Sequence, residues 1–239
     1  MMKGRLRDHQ RIRSLSLEVT YECEFGCVNC SRQCSQAPTT DRMAFAQVKS
    51  FVDESLSLEY LWRSIAVTGG EPTSHPELLE ILDLLMMSFP KTQLKVGTNG
   101  VNKDVIGRIP SSVYVHNTGK IAGVCCHLPI NKAPIDFGLI VDLSDDQCFA
   151  VPVCSIALSK FGYYFSGPCA GIDRVFGFDV GVKSLREVVE SDFVLLERQQ
   201  NLLCQYCGLG IKGERASSDQ VISPTWKIAL ESWSRRKSE

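Results

Sequence analysis

The chain has 239 residues, a length that suits one domain or one domain with a small appendage. Hydrophobic residues make up 44% of it and the formal net charge is −1, which allows a sizeable core and leaves no nucleic-acid footprint at the level of the whole chain. No apolar run is long enough to span a membrane, because charged residues such as Glu80 and Asp83 interrupt even the most apolar helical stretch.

The first dozen residues are basic (Lys3, Arg5, Arg7, Arg11), and no apolar segment follows before Leu15. Residues 1–12 therefore read as a solvated arm and not as a secretory signal. Residues 14–20 alternate and are rich in strand formers, which predicts a first strand running directly into Cys23. A polar loop with Pro38 follows, then a helix over 44–58 with Phe45, Val48, Val52 and Leu56 on one stripe. A short apolar strand over 64–68 stops at Gly69 and Gly70. Ser74 and Glu77 have capping-box spacing for a helix that runs to Ser88 and is broken by Pro90. Residues 93–98 form a third strand, ending at Asn99 and Gly100. Strand, loop and helix thus repeat, which predicts a parallel sheet with helices outside. Weaker strands are expected at 113–116 and 137–143. Beyond 149, segments 151–158 and 163–165 flank Ser159 to Gly162 as a hairpin, 185–199 reads as a helix, and 224–233 as a helix with Trp226, Ala229, Leu230 and Trp233 on one face.

The composition has one outlier, its 11 cysteines. A secreted disulfide framework is usually shorter, with an even count and a signal peptide. Cysteines at this density in a cytoplasmic protein read as metal ligands, and they gather at 23–34 and again at 148–207. Cys23, Cys27 and Cys30 lie within eight residues, with Gly26 able to turn all three sulfurs inward. Thiolates are the usual ligands of iron–sulfur clusters, and three protein ligands leave one iron of a cube open to a small molecule. A zinc site also uses closely spaced cysteines and is the plainer reading of this loop.

This spacing at the end of a first strand resembles the signature of the radical S-adenosylmethionine (SAM) superfamily. Residues 68–72 (Thr-Gly-Gly-Glu-Pro), at the end of the second strand, resemble the same superfamily's SAM-binding motif. The resemblance implies a [4Fe–4S] cluster held by Cys23, Cys27 and Cys30. It implies SAM bound along Gly69, Gly70, Glu71 and Pro72, with Asn99 near the same site. It also implies reductive cleavage of SAM to a 5′-deoxyadenosyl radical that takes a hydrogen atom from the substrate. Where members of the family often carry an aromatic residue before the third cysteine, this chain has Asn29. Cys34 is expected to stay off the cluster, as a buried or substrate-side thiol.

Cys154 and Cys169 flank the hairpin, and Cys204 and Cys207 form a CxxC after the helix. This arrangement resembles the twitch and SPASM extensions of radical SAM enzymes. It implies a second [4Fe–4S] cluster on these four residues, with a structural zinc in the same cage as the alternative. Cys148 could replace one of the four, while Cys125 and Cys126 read as packing residues or a hydrogen donor. Asn131, Lys132 and Asp136, in a proline-marked loop, are candidate substrate contacts, with Asp136 the candidate catalytic group; a capped connecting loop accounts for them equally well. His127 reads as a hydrogen-bonded structural residue, and Asp173 and Arg174 as a pair with each other or as contacts to substrate.

The expected fold is α/β: a shortened partial (β/α) barrel of the radical SAM type over 13–144, with a small cysteine-rich extension over 145–239 that could complete the wall. The expected function is a cytoplasmic radical SAM enzyme acting on a peptide or carbohydrate. A one-electron donor such as flavodoxin or ferredoxin is expected as partner, with no nucleic acid and no membrane. The alternatives are a zinc-stabilised binding protein and a two-cluster electron carrier without SAM chemistry.

Overall fold

A computed structural model describes residues 12–119, 127–141, 155–211, 213, 215–216 and 218–238. Strand β1 (Ser14–Thr20) leads through a long loop into helix α1 (Phe45–Ser57), followed by β2 (Ser64–Gly69), α2 (Leu78–Ser88), β3 (Gln93–Thr98), α3 (Lys103–Ile106) and β4 (Tyr114–Asn117). After residue 155 come β5 (Ile156–Ser159), β6 (Gly162–Tyr164), α4 (Gly167–Phe176), α5 (Leu185–Glu190), α6 (Val194–Leu203) and α7 (Pro224–Ser238). The sheet order is β4-β3-β2-β1-β5-β6. All neighbours are parallel except the β5–β6 hairpin.

Position in the sheet explains the burial pattern. β1 lies between β2 and β5 and is buried at every residue after Ser14. Such a strand reads as a near-continuous buried run once helices cover both faces. α1 turns Val48, Phe51 and Val52 inward, and α2 turns Leu78, Ile81, Leu82 and Leu85 inward. Each of these side chains contributes about 1.5–3 kcal/mol by burial. One continuous core runs from Leu15 through Leu82 and Ile156 to Trp226 and Trp233. Residues on both sides of the boundary expected at 144 therefore share one hydrophobic core. The hairpin hydrogen-bonds directly to β1 and extends the wall of the sheet.

Three local expectations need correction. The capping box of Ser74 and Glu77 does not form. Pro72 instead starts a 3-10 turn over Pro72–Ser74 that Glu71 caps, so α2 begins only at Leu78. In place of a strand at 137–143, Pro134–Phe137 form a 3-10 turn closed by Gly138 at φ 65°; residues 142 and 143 lie outside the described residues. The helix expected over 185–199 is split, because Asp192 and Phe193 both take positive φ and the chain restarts as α6. Phe193 is buried at that break, so core packing overrides the local helical preference.

Candidate functional site around the cysteine loop

The carboxyl ends of parallel strands are where an α/β sheet collects functional groups. Here they carry the loop after β1, the glycine turn after β2 and the Thr98-Asn99 turn after β3. The two glycines let these segments close on one another. A side chain on Gly69, which has φ 136°, would put its Cβ 2.2 Å from the Thr20 carbonyl oxygen, and one on Gly70 would lie 2.3 Å from that of Glu22. Without side chains there, Gly70 N–H donates to Thr20 O at 2.7 Å and Glu71 N–H to Glu22 O at 2.8 Å. The end of β2 is thereby zipped to the root of the cysteine loop, one residue before Cys23.

These turns enclose a cavity of about 200 Å³. Cys23, Cys27, Cys30 and Cys34 line it from the loop, together with Phe25 and Arg32. Gly69, Gly70 and Glu71 line it from β2, and Asn99 from β3. His116, Thr118 and His127 also line it. Burial pushes the Cys23 thiol up to about 11. A hydrogen bond from Cys34 instead pulls Cys30 well below the ordinary thiol range. Cys34 is itself buried. Soft sulfur donors converging beside a glycine-lined wall fit an iron–sulfur cluster with a small ligand next to it. Among the described residues no three His, Cys, Asp or Glu side chains converge on a single ion. Thiolates that hold a cube each bond a different iron and so stand farther apart than the ligands of one ion.

Glu71 ties strand ends together. Its carboxylate accepts from Thr73 N–H at 3.0 Å, Thr73 Oγ1 at 2.6 Å, Thr98 Oγ1 at 2.7 Å and Asn99 N–H at 2.7 Å. What the glycine turn offers a ligand is therefore backbone, with the Glu71 side chain as the strut behind it. Pro72 is buried as the first residue of its turn and is not among the lining residues. Asn99 lines the cavity and donates from Nδ2 to Glu24 of the cysteine loop at 2.9 Å.

The loop is also anchored from below and behind. Arg32 pairs at 3.0 Å with Glu18 of β1, which is almost fully buried and also accepts from the Tyr21 hydroxyl. Burial raises the Glu18 pKa against the pull of Arg32. Gly167 leaves room for this pair, since a Cβ there would meet Glu18 Oε1 at 2.3 Å. Arg174 of α4 donates to the carbonyls of Ala37, Arg32 and Gln33 at 2.9, 3.3 and 3.1 Å. From the sequence Arg174 reads as a partner of Asp173 or of substrate, and Arg32 is not singled out. A charge two residues after the third cysteine was the available signal for Arg32.

The remaining candidates sit elsewhere. Asp136 is not among the residues lining the cavity. Its carboxylate accepts from Thr225 N–H at 3.0 Å and from the Thr225 hydroxyl, at the start of α7. Burial is opposed by hydrogen bonds from Ser223 and Thr225, which leave its pKa below the usual carboxylate value. Helix capping therefore accounts for Asp136. Cys169 lies in the first turn of α4 and Cys207 beside a 3-10 turn, both buried in the core, while Cys204 is half-buried at the end of α6. Cys154, Cys148, Cys125 and Cys126 lie outside the described residues. Asn131 is buried and donates to Gln33 of the cysteine loop at 2.8 Å, and Lys132 stands 5.1 Å from the Phe137 ring centroid.

No protein-family model matches the chain. Over 103 residues, 42% of the chain, it is 29% identical to mycofactocin maturase MftC of Mycobacterium tuberculosis (strain CDC 1551 / Oshkosh). Over 92 residues, 38% of the chain, it is 33% identical to GTP 3′,8-cyclase of Ectopseudomonas mendocina (strain ymp). These matches span 25% and 27% of the relatives' own lengths, so the chain covers only about a quarter of either. Among solved structures it resembles BtrN, crystallised with AdoMet and 2-DOIA, with a TM-score of 0.51 and 15% identity. That likeness covers 88% of this chain and 97% of the other, and it concerns the fold alone.

Proposed function

We propose that this chain, similar in sequence to mycofactocin maturase MftC and GTP 3′,8-cyclase and in fold to BtrN, is a radical SAM protein that reductively cleaves SAM and abstracts a hydrogen atom from an organic substrate. One observation carries the reading: the thiols of Cys23, Cys27 and Cys30, with that of Cys34 beside them, line the same cavity as a Gly-Gly turn at adjacent strand ends. In this reading Cys23, Cys27 and Cys30 hold a [4Fe–4S] cluster. Gly69 and Gly70 present backbone to the amino-acid end of SAM, and Glu71 keeps that backbone rigid. When bound, the cluster and SAM supply the one-electron chemistry that yields a 5′-deoxyadenosyl radical. The chain's own part is to orient SAM and to exclude water with the walls formed by Phe25 and the strand ends.

A peptide or carbohydrate is the proposed substrate class, and a flavodoxin- or ferredoxin-type donor the proposed electron source. Cys154, Cys169, Cys204 and Cys207 are proposed to hold a second [4Fe–4S] cluster, with zinc as the competing metal.

Anaerobic reconstitution followed by iron and sulfide analysis tests both metal assignments. The wild-type chain should bind about eight irons, and Cys23→Ala/Cys27→Ala/Cys30→Ala about four, the content of one cluster. Cys34→Ala should retain the full complement. Only the wild type and Cys34→Ala should release 5′-deoxyadenosine from SAM under reduction. Cleavage of SAM by the triple variant would overturn the reading of the first site, and zinc in place of the residual iron would overturn that of the second.

A further inference from the structure

Between Cys27 and Cys30 the loop makes a left-handed step at Asn29, with φ 54°. Residues with a Cβ adopt this conformation at a cost, asparagine less than most. Asn29 is fully buried and absent from the cavity wall, and every polar group on it except the carbonyl is bonded to a segment 190 residues later. Its backbone N–H donates to Gln220 Oε1 at 3.2 Å, and its Nδ2 to Asp219 O at 3.0 Å. Its Oδ1 accepts from Gln220 Nε2 at 3.0 Å and Val221 N–H at 3.1 Å. Gln36 doubles the link by donating to both Gln220 Oε1 at 2.7 Å and the Cys27 carbonyl at 3.3 Å. Ser223, next along, donates from its N–H to Asn131 O at 2.9 Å, which anchors the segment before α7 begins.

We infer that residues 219–221 are a strap that keeps the loop in its cluster-holding shape, with Asn29 and Gln220 as positioning residues. The geometry gives the reason. Asn29 lies one residue from Cys30 and two from Cys27, so the angle of its peptide planes sets how far apart those two sulfurs point. The short loop has no regular secondary structure, and a left-handed residue in it is held by what it bonds to. The strap supplies four bonds to that one residue from the opposite end of the chain. Gln220 is exposed on its other side, so it can be altered without opening the core. The inference rests on the reading that Cys23, Cys27 and Cys30 hold a cluster.

The test uses the full-length reconstituted protein and three variants: Gln220→Ala, Gln220→Glu and Asn29→Gly. Asn29→Gly keeps the left-handed backbone available and removes only the side-chain bonds. Gln220→Glu keeps the acceptor for Asn29 N–H and Gln36 and loses the donor to Asn29 Oδ1. Iron release to a chelator, the EPR spectrum of the reduced cluster and the melting temperature are measured on each. Release should quicken roughly tenfold in Gln220→Ala and Asn29→Gly, the scale expected for losing one or two net hydrogen bonds. Gln220→Glu sets a carboxylate oxygen against Asn29 Oδ1, which Val221 N–H fixes as an acceptor, and should release iron at least as fast as Gln220→Ala. The EPR line shape should change while the melting temperature of the apoprotein stays near wild type. Release at the wild-type rate in Gln220→Ala would overturn the strap, as would faster release accompanied by an equal loss of global stability. If Asn29→Gly fails to fold, the Gln220 pair decides alone. Failure of the wild type to take up any cluster would instead overturn the underlying reading of the cysteines.

Discussion

At Glu71 two backbone N–H groups approach different oxygens of one carboxylate, Thr73 to Oε1 and Asn99 to Oε2. Hydroxyl partners can reverse their hydrogen bonds, but backbone N–H groups cannot. Glu71→Gln therefore forces an amide NH₂ against one of them and leaves a buried donor unsatisfied, at a cost of about 1–3 kcal/mol. The expected result is a lower melting temperature in the apoprotein as well as weaker SAM binding. A variant that melts like the wild type would mean that the strand ends hold without the carboxylate. The Gly-Gly-Glu-Pro run could be read from sequence because turn residues are conspicuous. The inward direction of the Glu71 side chain could not, since it depends on Thr98 arriving from a neighbouring strand.

Among the elements, the loop leaving β1, the β5–β6 hairpin and α7 meet at Asp41. Its carboxylate takes Lys160 at 2.7 Å and Lys237 at 3.3 Å, and the Thr39 hydroxyl at 2.8 Å. Burial alone would raise its pKa; the hydrogen bonds of Lys160 and Thr39 and the two lysine charges outweigh it and hold Asp41 at about 2. The folded value lies below that of an unfolded Asp, about 3.9. Asp41 thus stabilises the fold above about pH 4, and its contribution is lost as pH falls towards 2. Thermal melts of the wild type and Asp41→Asn should converge across that window and differ most above it. Parallel curves would exclude Asp41 as the source. The size of the effect is reduced by solvent screening, because the site is partly exposed. A basic tail at 235–237 reads from sequence as solvated. In the fold Lys237 reaches Asp41, and Arg236 donates to the Val175 carbonyl at 2.6 Å.

For the molecule as a whole, Arg174 joins the helix after the hairpin to the loop after β1. Three carbonyl hydrogen bonds and a position 4.7 Å from the Tyr21 ring centroid engage its guanidinium, which is nearly buried. Lysine has one small cationic head and cannot reach all three carbonyls. Arg174→Lys should therefore cost roughly 2–4 kcal/mol, since hydrogen bonds from a charged group are worth about 1.5–3 kcal/mol each. Denaturant melts would show this as an earlier midpoint with an unchanged slope. A changed slope would indicate that α4 and the loop unfold separately. The single core and the β1–β5 pairing predict one transition.

The first three strands, both long early helices, the hairpin and the cysteine loop could be read from the sequence, because period, turn residues and cysteine spacing are local properties. That Cys23, Cys27 and Cys30 would line one cavity with Gly69 and Gly70 needed only their order along the chain and their places at strand ends. What only the tertiary structure decided are contacts between distant segments. They include the hairpin's pairing with β1, the break at Phe193, the capping of α7 by Asp136 and the bonds from Gln220 to Asn29. None of these has a local period or spacing to betray it. Each arises when two segments with unremarkable sequences are brought together by a shared core, and there the hydrogen-bonding needs of buried groups select the partner.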